Sequence, residues 1–214
     1  MALSELALLR QHLALSFAAE CPVTGTSGEK LARLYEIDDV NLEGVRVLDI
    51  CSGVRDFAEY LRVKKRAVPS AVDIGYKDMA RLITRSESQV SPAFLRSIAD
   101  ASGMYVYGQA HSLPFADGIF KYAFSFNGLL GVTDQDHDLA MASLRDAIRV
   151  IGVGGVLQVA PYDDQFVPRG YQPHLFEELK RDGNVSVQEV NSRLYIPEAG
   201  SIYAVKKAVV TKLH

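Results

Sequence analysis

The chain has 214 residues, 48% apolar and 23% charged, with a net charge of −3. That is enough for one α/β domain with a substantial core and too little for two full ones, and the slight acidity gives no positive field for nucleic acid or an anionic membrane surface. Its two cysteines, Cys21 and Cys51, stand in no metal-ligand or redox spacing, which predicts a reduced, cytoplasmic protein without a metal site.

Leu6, Leu9, Leu13 and Phe17 recur three or four apart and predict an amphipathic first helix. Glu5, Arg10, His12 and Glu20 interrupt it, so the segment reads as neither a secretory leader nor a membrane span. The run Thr24-Gly25-Thr26-Ser27-Gly28 ends it, and a second short helix is expected over 29–35 with Leu31 and Leu34 inward. Residues 1–44 are therefore expected to form an N-terminal helical cap, either over the mouth of a pocket or padding the sheet, on a domain spanning 45–214. The whole is read as one compact domain.

Val45, Val47, Leu48 and Ile50 make a short β-branched, apolar run of the kind that forms a buried parallel strand. Cys51-Ser52-Gly53 is a turn, and from Asp56 the spacing becomes helical through Phe57, Tyr60 and Leu61. A strand that ends in an acid and turns through glycine into a helix offers backbone N–H groups and a carboxylate to one ligand. The basic cluster Arg62, Lys64, Lys65 and Arg66 falls at the helix end, where cations offset the helix dipole.

Beyond this unit, strands are expected over 71–74, 105–108, 121–126 and 156–160, with helices over 77–85 and 139–150. The run Gly152-Val153-Gly154-Gly155 is expected to stop the second of those helices. A helix over 174–182 and two alternating strands over 185–194 and 202–210 complete the chain. The fold class is α/β: a Rossmann-like, doubly wound, mostly parallel sheet with an antiparallel edge pair at the C-terminal end.

Two acids end successive strands, Asp49 and, about twenty residues past Gly53, Asp73. An acid at the second strand end suits a ribose, because a carboxylate accepts two bonds from a vicinal diol. At these residues the chain resembles the class I S-adenosylmethionine-dependent methyltransferases, over most of 45–210. Val47-Leu48-Asp49-Ile50-Cys51-Ser52-Gly53 is similar to the family's first motif, and the cysteine in the first glycine position resembles its quinone-biosynthesis group. The segments 71–79, 108–120 and 144–159 resemble the acidic post-motif strand, the adenine-side loop, and the helix, glycine turn and strand that follow.

The resemblance implies S-adenosylmethionine as cofactor and a small-molecule methyl acceptor as partner, with no nucleic acid or membrane and with homo- or hetero-oligomerisation left open. It implies that Asp49 holds the methionine amino end, that Gly53 lies close to the cofactor, that Asp73 takes the ribose diol and that Ile74 packs on adenine. Gln109, where the family often has aspartate, would accept from the adenine amino group, Ala110 would offer its N–H to the ring, and Cys51 and Ser125 complete the cofactor-binding set.

The first motif is also degenerate. Arg55 replaces its third glycine, Val54 a small or flexible residue, and Lys121 a common aspartate. Arg55 either attracts the cofactor carboxylate, repels the sulfonium, or points outward to pair with Asp56 or Glu59; it is kept in the cofactor-binding set. His111 and His137 are the candidate catalytic bases, near strand ends on the ligand side, and Tyr76 and Tyr162 are further residues for the cleft. The leading expectation is methyl transfer to a small molecule. Its competitor is a methyltransferase-like binding or partner subunit without activity, and a nicotinamide-dependent enzyme comes third because the turn lacks the required glycine spacing.

Overall fold

The Ser27 side chain accepts from the Lys30 N–H (3.5 Å) and caps helix α1, Gly28–Leu34. The computed structural model describes residues 27–53, 56–78, 103–126, 128–129, 136–160, 173–196 and 201–214. The helix expected around Leu6 to Phe17 lies outside them, as does most of the one expected over 77–85.

The elements follow as β1 (Arg46–Ile50), α2 (Phe57–Lys65), β2 (Val68–Asp73), a 3-10 turn (Ile74–Asp78), β3 (Tyr105–Tyr107), β4 (Phe120–Phe126), α3 (His137–Val150), β5 (Ile151–Ala160), α4 (Pro173–Arg181), β6 (Val185–Ile196) and β7 (Ser201–Lys212). They build one seven-stranded sheet in the order β3-β2-β1-β4-β5-β7-β6. Strands β1 to β5 run parallel, and β7 joins β5 antiparallel and pairs along its whole length with β6. The doubly wound sheet with its antiparallel edge pair is the architecture expected from the alternation of elements.

Each face has its own core. Leu48, Ile50 and Val72 pack with Met141, Leu144 and Ile148 of α3 and Leu175, Phe176 and Leu179 of α4. Val47, Phe124 and Phe126 pack on the other face with Leu31 and Leu34 of α1 and Phe57 and Leu61 of α2. Alternate residues of β1 thus feed opposite cores, as the period of a strand requires. Helix α1 lies against this second face, packed on α2 and β6.

The glycine run at 152–155 departs from expectation. It forms no break: β5 begins at Ile151, directly after α3. The glycines serve close approach instead, since a Cβ on Gly152 would lie 3.1 Å from Gly118 O and one on Gly155 2.6 Å from Gly152 O. The pairing with β4 shifts register between Phe120 and Tyr122, which sends Phe120 to the first core and Tyr122 to the second. Lys121, at this irregularity, donates to Gly154 O (2.7 Å). Strand β2 likewise ends at Asp73, and Ile74 starts the 3-10 turn. Among the described residues no helix is long and apolar enough to cross a membrane, and no group of three or more His, Cys, Asp and Glu could hold a metal ion.

Candidate functional site

Parallel pairing places the ends of β1, β2 and β4 side by side: Ile50 faces Val72 on one side and Ser125 on the other. Ligands of open α/β sheets bind beyond these carboxyl ends, next to the point where strand order reverses, here between β1 and β4. The turn after β1 emerges at this place. Cys51 (φ 56) and Gly53 (φ 58) both adopt left-handed backbone angles, so the turn carries one strained residue and one that tolerates the conformation.

The turn is held from the side of β2. Ser52 N–H donates to Val72 O (3.2 Å), and Gly53 N–H donates to Asp73 Oδ2 (3.0 Å). The Tyr76 hydroxyl donates to Gly53 O (2.7 Å) and lies 2.9 Å from Ser52 Oγ. Both polar groups of Gly53 are therefore pinned by residues at and just beyond the end of β2. Burial raises the Tyr76 hydroxyl well above its ordinary pKa of 10.0; the bond with Ser52 opposes the rise, and the nearby charges of Asp49 and Asp73 add to it. Tyr76 is thus a protonated donor at any physiological pH, and Asp49, 2% exposed, belongs to the same cluster. Tyr76 is the site residue that sequence reasoning placed only loosely. Its role depends on the 3-10 turn, which no local pattern announces.

Tyr76→Phe keeps the ring and its edge-on contact with Tyr105 (5.4 Å, 85°) but leaves Gly53 O and Ser52 Oγ without this hydroxyl. Chemical denaturation is expected to show a loss of about 1–3 kcal/mol.

Ser125 is fully buried, and its Oγ accepts from Leu129 N–H (3.0 Å). A Cβ on Gly128 would meet Cys51 Cβ at 2.4 Å and Ser125 Oγ at 2.6 Å. The turn after β4 thus closes directly on Cys51, and only glycine permits it. On the other flank Ile74, directly after Asp73, is 62% exposed, and a Cβ on Gly53 would have no atom of the described residues within 4 Å. An apolar side chain, a carboxylate and open space above a glycine adjoin one another here. Gln109 and Ala110 follow β3 as half-buried residues of a small turn, in which Ser112 N–H donates to Gln109 O (3.0 Å).

The two histidines separate. His111 is exposed in that turn. His137 opens α3 at the seam with α4, where its Nε2 lies 3.1 Å from Glu178 Oε2 and its ring stacks on His174 (5.4 Å between centroids). Arg55 and Tyr162 lie outside the described residues. Of the acids expected to take Arg55, Asp56 accepts from Gly28 N–H and Glu59 pairs with Arg62.

The sequence profile of the ubiE/COQ5 methyltransferase family matches residues 31–207, from the middle of α1 to the middle of β7. The chain belongs to this family. Among similar curated proteins, the ubiquinone/menaquinone biosynthesis C-methyltransferases of Xylella fastidiosa (strain M23) and Xanthomonas axonopodis pv. citri (strain 306) are 30% and 32% identical over 159 and 160 residues. These alignments cover 73% of the chain, which spans 58% of the length of either relative. In fold, the chain is similar to the phosphoethanolamine N-methyltransferase 2 of Haemonchus contortus (TM-score 0.59, 14% identity, 95% of this chain and 58% of that one). A possible histamine N-methyltransferase of Thermotoga maritima is comparable (TM-score 0.56, 17% identity, 95% and 97%). In this chain Asp49 is the penultimate residue of β1, Cys51 and Gly53 lie in the turn that follows it, and Asp73 is the last residue of β2.

Proposed function

We propose that the protein binds S-adenosylmethionine at the carboxyl ends of β1, β2 and β4 and transfers its methyl group to a small-molecule acceptor. The observation that carries this reading is Asp73: it holds the N–H of a left-handed glycine and is followed at once by an exposed isoleucine. A carboxylate has two oxygens with about four lone-pair acceptor sites, a geometry that suits a vicinal diol. Ile74 supplies an apolar surface for a purine, and the space over Gly53 admits close approach. Asp49 and Asp73 make the surroundings negative, which suits a ligand that carries a sulfonium and an ammonium group.

Gln109 and Ala110 are then the adenine-side contacts, Cys51 and Ser125 flank the methionine side, and Arg55 is assigned to the methionine carboxylate. Bound, the cofactor supplies an electrophilic methyl group. The protein's own work is to align an acceptor with it and to exclude water, which supplies much of the rate in such a displacement. The names of the curated relatives point to a carbon acceptor on an electron-rich ring. A proton must then leave that carbon or a ring hydroxyl, and His111 and His137 are the bases proposed for it, with Glu178 orienting His137. Residues 1–44 form the helical cap of this domain in the same reading, in a cytoplasmic setting.

Calorimetry with S-adenosylmethionine and S-adenosylhomocysteine tests the proposal. Micromolar binding of at least one is expected, and absence of both at about 1 mM overturns it. Tight binding without methyl transfer to any quinol-type acceptor would instead favour the binding or partner subunit.

A further inference from the structure

We infer that Asp56 is a positioning residue, through which helix α1 sets the attitude of the Cys51–Gly53 turn toward the cofactor. The inference deepens the cofactor reading above and rests on it for one of its two measurements.

Asp56 stands at the N-cap of α2, yet its carboxylate makes no bond to its own helix. An aspartate in that position ordinarily accepts from an N–H in the first turn that follows. Here Oδ1 reaches back 28 residues to the N–H of Gly28, the first residue of α1 (2.7 Å). The contact has been given room: a Cβ on Gly28 would lie 2.3 Å from Tyr60 Cβ and 3.1 Å from Asp56 O. Burial raises the Asp56 carboxyl above its ordinary value of 3.8, and the bonds from the Gly28 N–H and from its own backbone N–H oppose that rise without cancelling it.

The far end of α1 is fixed just as firmly. Leu34 O accepts from Lys207 Nζ and from Ser192 Oγ, both at 2.9 Å, and Tyr35 O accepts from Gln158 Nε2 (3.2 Å). Lys207, with a side chain 2% exposed, also pairs with Glu36 (3.4 Å). Between the two ends, Tyr35 packs against Phe57 of α2 (5.6 Å) and Phe124 of β4 (4.6 Å). Helix α1 is therefore a strut: it is anchored on β5, β6 and β7 at one end and ends at Asp56, which follows the turn, at the other. A turn containing a strained Cys51 gains most from such an anchor, because its backbone has nearby alternatives.

The test compares wild type with Asp56→Ala, Gly28→Ala, Asp56→Asn and Leu179→Ala, the last a core truncation on the opposite face of the sheet. Affinity for S-adenosylhomocysteine is measured by calorimetry, and hydrogen exchange of the Ser52 and Gly53 amides is measured in the ligand-free protein. Asp56→Ala and Gly28→Ala are expected to weaken binding about tenfold and to speed exchange of these amides. Asp56→Asn, whose amide oxygen still accepts from Gly28, is expected to stay within about threefold of wild type. Leu179→Ala should lower Tm and leave both measurements unchanged. If Asp56→Ala matches Leu179→Ala in affinity and in turn exchange, the inference is wrong. Should wild type bind neither S-adenosylhomocysteine nor S-adenosylmethionine, the cofactor reading fails, and the exchange of the two amides still decides whether Asp56 couples α1 to the turn.

Discussion

Replacing Asp73 with alanine is expected to weaken S-adenosylmethionine binding by about a hundredfold or more. Two contributions add. Hydrogen bonds to a charged acceptor are worth about 1.5–3 kcal/mol each, so losing a diol contact alone costs about tenfold or more. The substitution also removes the acceptor of the Gly53 N–H, which now lies 3.0 Å from Asp73 Oδ2, and so frees the turn that approaches the ligand. Asp73→Asn separates the two contributions, because its amide oxygen can keep one of these bonds while the charge is gone. An intermediate loss, about tenfold, is expected by isothermal titration. Equal affinities of wild type and Asp73→Ala would remove this carboxylate from the cofactor site altogether.

Arg149→Ala is expected to be the most destabilising single surface-accessible change, by about 2–4 kcal/mol, or roughly 5–15 °C in Tm for a chain of this size. All five guanidinium N–H groups are used. Nε and Nη2 donate to the two oxygens of Asp146 (2.7 and 3.2 Å), Nη1 donates to Asp117 (2.6 Å) and Phe115 O (2.8 Å), and Nη2 also donates to Leu113 O (3.0 Å). Asp146 in turn accepts from Leu113 N–H (2.5 Å). One residue at the end of α3 thus staples the loop that follows Gln109 and Ala110, so the loss should also reach cofactor affinity. Lysine, with three donors and no planar fork, is expected to recover less than half of the effect.

The same pair predicts a pH dependence. Burial alone would raise the Asp146 carboxyl, but the bonds from Arg149 and Leu113 outweigh it and hold the group below 3.8. A depressed folded-state value means that the pair's stabilisation is complete above about 3.8 and is lost as pH falls through the folded value. The stability gap between wild type and Arg149→Ala should therefore be constant near neutral pH and close in acid. A gap that widens below pH 4 would contradict the assignment.

Much of the fold was legible because it rests on patterns of short range. Val47, Leu48 and Ile50 are apolar on both faces of a buried strand, and the alternation of such runs with helical spacing left a doubly wound sheet as the consistent layout. Asp49, next to the end of β1, and Asp73, at the end of β2, with Gly53 between them in sequence, marked the candidate site for the same reason: strand ends and turns are set by neighbouring residues. The run at 152–155 is ambiguous in sequence because glycine serves equally as a stop signal and as room for close contact. Only the approach of Gly118 and the shift at Phe120 choose between these uses.

Periodicity along the chain was enough for the parallel core and the antiparallel edge pair, and the order of short motifs was enough for the family resemblance, because both are written in neighbouring residues. The folded chain adds that Asp73 braces Gly53, that Tyr76 pins the same peptide, that Arg149 holds the loop after Gln109 and Ala110, and that Asp56 serves a helix other than its own. Each of these is a hydrogen bond to a partner between 20 and 36 residues away in the chain. Such a bond depends on where the fold brings two segments, and a side chain's local spacing holds no record of that.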